Sequence, residues 1–329
     1  MSTTRALTAG KIRGLSQAST PGGVFTILAI DHRDAMRVVV SPTDPASIPA
    51  SALTKVKLEL LADLGDQATA VMLDPEYSIG QAIASRRLPG NVGFLAAIEA
   101  QGYLGDPTAR RTSLLDGWSV DKAKRVGASG IKLLVLYRPD SGEVAAAQER
   151  MIAGVIAACA RADIPLFLEP VAYAIEDGAE LGSPDFAAKR REIVIESVRR
   201  LGALGPDVLK VQFPVDTRLE PDRQVWADAC AELDEAAPVP WALLSGGDPY
   251  ELFREQVLVA SKAGASGFMV GRALWKDAVT VPPADRSRMI EEEIRPRFLE
   301  LAAIAHAHGR DWGQRHLLPE IDERWFLTY

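Results

Sequence analysis

The sequence predicts a (β/α)8 barrel, a closed ring of parallel strands with helices outside. Three observations point there. Eight short apolar runs recur along the chain, each followed by a longer amphipathic stretch. Within a run the apolar residues are consecutive, as strands covered on both faces require. The eight units fill about 280 residues, a length that suits one barrel. A doubly wound sheet is the rival arrangement, and it usually places a glycine-rich phosphate loop after its first strand. Here the first run leads into Ala29-Ile30-Asp31-His32-Arg33, which contains no such loop.

The elements follow in order. Residues 24–30, Val-Phe-Thr-Ile-Leu-Ala-Ile, read as the first strand, with a helix at 52–64. Residues 70–73 form the second strand, with a helix or turn after Pro75. The third is 93–98, and a helical pattern opens at 121–126. The fourth is 130–136, then a helix at 144–161. The fifth is 165–168, then a long helix at 184–201. The sixth is 208–213, then a helix at 225–235. The seventh is 240–244, then 249–263. The eighth is 267–270, and mostly helical sequence follows. A helix at 4–17 is expected to plug the barrel's bottom. One barrel therefore spans 1–305. A tail at 306–329, rich in Arg, Trp and Glu, is expected to be an appendage that packs on a neighbouring copy in a homo-oligomer. Trp118, Trp241 and Trp275 fall at core spacing and read as packing.

Composition narrows the functional classes. The 329 residues are 47% hydrophobic and 25% charged, values that exclude a disordered or collagen-like chain. A chain of this length buries about three quarters of its unfolded surface, enough for a full core. The net charge of −7 disfavours a phosphate backbone as partner, so no nucleic-acid role is expected. Cys159 and Cys230 lie in helical segments and read as reduced. The longest apolar run, 151–160, is bounded by Arg150 and Arg161 and is too short to span a bilayer. With no apolar signal core in 1–10, a soluble cytoplasmic protein is expected.

Barrel active sites gather at the C-terminal ends of the strands. The polar residues there are Asp31 and Arg33, Asp74 and Glu76, Glu99, Lys132, Glu169, Lys210, Ser245-Gly246-Gly247, and Gly271-Arg272. Two of these are lysines inside apolar strands, a residue type rarely buried without a partner. A strand lysine that points into a barrel loses hydration, and a nearby cation favours its neutral form further. A neutral amine is what Schiff-base chemistry needs. Strands four, five and six are neighbours, so Lys132, Glu169 and Lys210 converge. A carboxyl between two amines can move protons during carbinolamine formation and dehydration. Asp31 is a second acid/base candidate from across the barrel. Ser245, Gly246, Gly271 and Arg272 suit an anion such as phosphate, through close backbone approach, a hydroxyl and a forked cation. Of four histidines only His32 stands at a strand end, so no metal centre is expected. His306, His308 and His316 lie in the tail and are expected to face solvent.

Five stretches carry a family resemblance: 29–35, 72–77, 131–134, 207–211 and 267–273. In order and spacing they resemble the class I aldolases of the tagatose 1,6-bisphosphate aldolase family and the related sulfofructosephosphate aldolases. The resemblance implies that Lys210 is the Schiff-base lysine, that Glu169 and Lys132 transfer protons, and that Asp31 is the acid/base on strand one. It implies a phosphate site at Ser245, Gly246, Gly271 and Arg272, and places Arg33 near the other charged end of the substrate. It implies no metal or organic cofactor. The reaction implied is cleavage of a ketohexose phosphate bearing a second anion to dihydroxyacetone phosphate and a three-carbon aldehyde. Relatives usually carry glutamine where His32 stands and glutamate where Gln212 stands. By the strand period of two, Gln212 is expected on the same side as Lys210. The 98–103 loop resembles the tagatose type, whereas 132–138 and Glu169-Pro170 resemble the sulfosugar type. A transaldolase, a sulfosugar aldolase and a sugar-phosphate-binding regulator without turnover are the alternatives.

Overall fold

A computed structural model describes residues 6–175, 183–327 and 329. Among the described residues eight strands alternate with helices: β1 (Phe25–Ala29), β2 (Ala70–Leu73), β3 (Gly93–Ala97), β4 (Gly130–Leu136), β5 (Leu166–Val171), β6 (Val208–Val211), β7 (Trp241–Leu244) and β8 (Gly267–Val270). All pair in parallel with their sequence neighbours, and β8 returns to β1, closing the barrel. The expected (β/α)8 architecture is what the chain adopts.

Alternation along the strands sorts their apolar residues into two separate cores. Phe25, Ile27, Ala29, Ala70, Met72, Leu95, Phe167, Val208, Ala242 and Met269 pack together inside the ring. Their neighbours, such as Leu28, Val71, Leu133, Leu168, Leu209 and Val270, pack outward under the helices. This is the period of two acting on strands buried on both faces. The inward series then continues upward into charge, from Ala29 to Asp31, Ala97 to Glu99, Phe167 to Glu169 and Val208 to Lys210.

The bottom is closed from both ends of the chain. The helix Ala9–Gln17 sends Leu15 into the inner core, and Lys11 pairs with Asp207 at 2.8 Å. Of the helix expected at 4–17, residues 4 and 5 lie outside the described residues. The C-terminal segment differs from a free appendage. Trp312 is buried in the same inner cluster, and its indole N–H donates to Ser19 at 3.0 Å. Arg310 and Arg315 both pair with Asp234. His316 is not solvent-facing, since its ring nitrogen meets the Asp207 carbonyl at 2.9 Å. Beyond Leu317 the tail does expose its apolar residues, Ile321, Phe326 and Leu327 among them.

Trp241 and Trp275 are fully buried, and Cys159 and Cys230 are buried free thiols. Among the described residues no helix is long and apolar enough to cross a membrane.

Two strand ends differ from expectation by two residues or more. β5 runs on through Glu169 and Pro170, paired to β4 as far as Val171, although its pairing with β6 stops at Leu168. Pro170 has no N–H to give to a further rung. β6 stops at Val211, two residues early. Gln212 therefore escapes the alternation. It turns to β5 and accepts the Ala172 N–H at 2.8 Å rather than facing Lys210.

Candidate active site

The C-terminal ends of the strands surround a cavity of about 250 Å³. Its walls include Asp31, His32 and Arg33 after β1, Glu99 to Tyr103 after β3, Lys132 on β4, Glu169 on β5 and Lys210 on β6. Every charged group among Asp31, Glu99, Lys132, Glu169 and Lys210 is buried. Buried charges persist only when paired, and here they form one network.

Lys132 is its centre. Its Nζ lies 2.6 Å from Glu99 Oε1, 2.7 Å from Asp31 Oδ2 and 3.3 Å from Glu169 Oε2. The last contact is an ion pair without a hydrogen bond's alignment. Burial alone would push the Lys132 ammonium toward neutrality. Asp31, Glu99 and Glu169 overcome that and hold it charged well above the ordinary lysine range. The same balance acts on Asp31: burial opposes its charge, and Lys132 and Lys210 keep its carboxyl far below the usual range.

Lys210 has different company. Its Nζ lies 2.9 Å from Glu169 Oε1 and 3.5 Å from the thioether sulfur of Met72. A thioether is at best a weak acceptor. Glu169 thus stands between two lysine nitrogens, one oxygen toward each.

Arg33 lines the cavity and engages two of its N–H donors within the protein. One amino group donates to Glu76 at 2.8 Å, the other to the Glu99 carbonyl at 2.9 Å, with the Glu99 carboxylate 3.6 Å away. It braces Glu99 beside Lys132 and is also part of the cavity wall. Asp31 makes its ion pair with Lys132, not with Arg33.

His32 packs edge-on against Trp275, ring centroids 5.2 Å apart. Desolvation, with help from Arg272, Lys210 and Lys132 against the pull of Asp31, lowers its pKa to about 3. The imidazole is neutral at physiological pH. Beside it lie the ends of β7 and β8. Ser245 Oγ accepts the Gly271 N–H at 3.3 Å, and Arg272 donates to the Gly246 carbonyl at 3.2 Å. Gly246 and Gly247 have φ of +59° and +92°, left-handed backbone that glycine adopts without strain. The helix Arg272–Thr280 starts at this corner, where the Leu274 N–H donates to the Gly271 carbonyl at 2.9 Å and no side chain caps the first turn. These four residues sit together next to the cavity, with His32 between them and the charge network.

Sequence reasoning passed over Glu99 as a site residue. The signal was present, because Glu99 continues the inward series of β3 two residues beyond Ala97. Gln101 and Tyr103, further along the same loop, also line the cavity. Among the described residues no cluster of three His, Cys, Asp or Glu has a metal-holding geometry. The space between the three carboxylates is filled by the Lys132 ammonium.

Comparison with known proteins agrees with this architecture. Residues 25–277 match the family described as DeoC/LacD family aldolase. The chain is 32% identical over 287 residues to tagatose 1,6-diphosphate aldolase 2 of Streptococcus agalactiae, covering 83% of this chain and 87% of that protein. It is 28% identical over 327 residues to tagatose 1,6-diphosphate aldolase 1 of Streptococcus mutans, covering 94% and 99%. An archaeal fructose 1,6-bisphosphate aldolase structure superposes with a TM-score of 0.60 at 21% identity, over 89% of this chain and 98% of that one. That likeness speaks to the fold. With the family match spanning the whole barrel and its charged upper rim, the chain belongs to the DeoC/LacD family of aldolases and is a carbon–carbon lyase.

Proposed function

We propose that the protein is a class I aldolase that cleaves a ketohexose 1,6-bisphosphate, tagatose 1,6-bisphosphate by its relatives' names, through a Schiff base on Lys210. The observation that carries this reading is the unequal surroundings of the two buried lysines. Lys132, gripped by three carboxylates, stays an ammonium. Lys210 faces a single carboxylate, 2.9 Å away, and that carboxylate can take its proton.

The proton count closes on Glu169. Lys210 enters as an ammonium with three protons. Two leave with the C2 carbonyl oxygen as water, ferried by Glu169, and one remains on the iminium. Glu169 ends as a carboxylate. The iminium draws the C3–C4 electron pair as that bond breaks, giving an enamine. The C4 hydroxyl hydrogen-bonds Asp31 and yields its proton as the aldehyde forms. Lys132 lies 2.7 Å from Asp31 and 3.3 Å from Glu169, and a small turn of the Glu169 carboxylate into hydrogen-bond alignment lets it relay that proton to Glu169. Protonation of the enamine at C3 and hydrolysis release dihydroxyacetone phosphate and free Lys210. Ser245, Gly246, Gly271 and Arg272 hold the phosphate of that half.

The test is borohydride trapping with dihydroxyacetone phosphate, mapped by mass spectrometry. A reduced adduct on Lys210, absent in Lys210→Ala, is the expected result. An adduct elsewhere, or cleavage retained by Lys210→Ala, overturns the assignment.

A further inference from the structure

His32 stands in the wall of the cavity with no role in the chemistry above. Its ring is fixed on two sides. Trp275 meets it edge-on, and Trp275 is itself anchored by an indole N–H donated to the Ala29 carbonyl at 2.9 Å. On the other side Gly271 leaves just enough room, because a Cβ there would come within 2.6 Å of His32 Cε1. These two contacts hold the ring where it stands. Its Nδ1 is buried and has no hydrogen-bond partner, although Asp31 Oδ1 is only 3.8 Å off. That gap is too long for a hydrogen bond. A buried polar atom without a partner is costly, and one held rigidly beside a reactive carboxylate is arranged for a ligand.

The neighbouring carboxylate favours the tautomer with the proton on Nδ1. Such a group donates to an oxygen lying against Asp31. A hydroxyl there can give its own proton to Asp31 while accepting from His32, so the two contacts are compatible. We propose that His32 is a specificity-determining residue that donates from Nδ1 to the C4 oxygen of the bound sugar and thereby reads the configuration at that carbon. The inference rests on the aldolase reading and adds to it a residue that selects the substrate.

The test compares the two C4 epimers, tagatose 1,6-bisphosphate and fructose 1,6-bisphosphate. His32→Phe keeps a ring on Trp275 and removes both nitrogens. It should lower kcat/KM for the preferred epimer about tenfold, the worth of one hydrogen bond in a buried site, and change the other less than threefold. His32→Asn puts an amide close to the Nδ1 position and should recover most of the loss. Dihydroxyacetone phosphate has no C4, so its trapping by borohydride should proceed at the same rate in all three proteins. That trapping reports on the fold and on Lys210 independently of His32. Equal losses for both epimers, no loss for either, or an Asn variant as poor as Phe would overturn the inference while leaving the aldolase reading intact. Failure to trap any adduct on wild-type Lys210 would overturn both.

Discussion

Lys132 and Lys210 are the same residue type, both buried, both touching Glu169, and their neighbours alone set them apart. Replacing Lys132 with Met takes the counter-charge from Asp31 and leaves Glu99 with Arg33 alone and Glu169 with Lys210 alone. Breaking such a buried pair costs about 3–5 kcal/mol, so urea denaturation should show a loss of that size. Turnover should fall by at least about a hundredfold, the value of one positioned proton-transfer group. His32 leaves a separate mark on stability. In the unfolded chain its imidazole titrates near 6.5, in the fold near 3. Below pH 6.5 the unfolded state takes up a proton that the folded state refuses. His32 therefore weakens the fold as pH falls from 6.5 toward 3, by up to about 1.4 kcal/mol per pH unit. Denaturation between pH 7 and 4 should give a shallower decline in His32→Phe than in the wild type. At this scale sequence reasoning was strongest for the lysines, because a lysine in an apolar strand is conspicuous. It was weakest for Glu99 and for the partners that Arg33 takes up. Whether a strand-end charge faces ligand or braces another charge depends on partners from distant strands, here Glu76 and Lys132, and no local pattern records them.

Secondary-structure elements explain why some placements were legible and others not. β2, β4 and β8 begin and end where the apolar runs at 70–73, 130–136 and 267–270 do. The alternation that fixes Lys132, Glu169 and Lys210 inward is a local rule and holds while the strand lasts. It fails at Gln212, because β6 has already ended and the side chain is captured by the Ala172 N–H. It fails for the length of β5 because strand signals stop at Pro170, yet the β4 side of the ladder needs no N–H from that residue. The end of β8 offers a direct check. Gly271→Ala forces His32 off Trp275, so its kcat/KM should drop by at least as much as that of His32→Phe. A Gly271→Ala enzyme with wild-type kinetics would show that the ring has room to move.

At the scale of the whole molecule, the barrel carries stability at one end and chemistry at the other. Trp312, Leu15 and the Lys11–Asp207 pair close the bottom, far along the strands from Lys210. Trp312→Ala should cost about 3–5 kcal/mol in urea denaturation yet leave kcat unchanged wherever the protein remains folded. A parallel loss of kcat at low temperature would show that the two ends are coupled. The tail's place in this seal was not legible, since an Arg- and Trp-rich terminus reads equally well as a surface arm.

That seal has a kinetic corollary. A cylinder stoppered below and packed through its middle is a blind well, and everything enters and leaves through one doorway. On the proposed chemistry the three-carbon aldehyde is free as soon as the C3–C4 bond breaks, while its co-product is still tethered to Lys210 at the floor. Departure is then a queue with a fixed order, aldehyde first and dihydroxyacetone phosphate last. Product inhibition should reveal that order: dihydroxyacetone phosphate competing directly with the bisphosphate, and the aldehyde inhibiting noncompetitively.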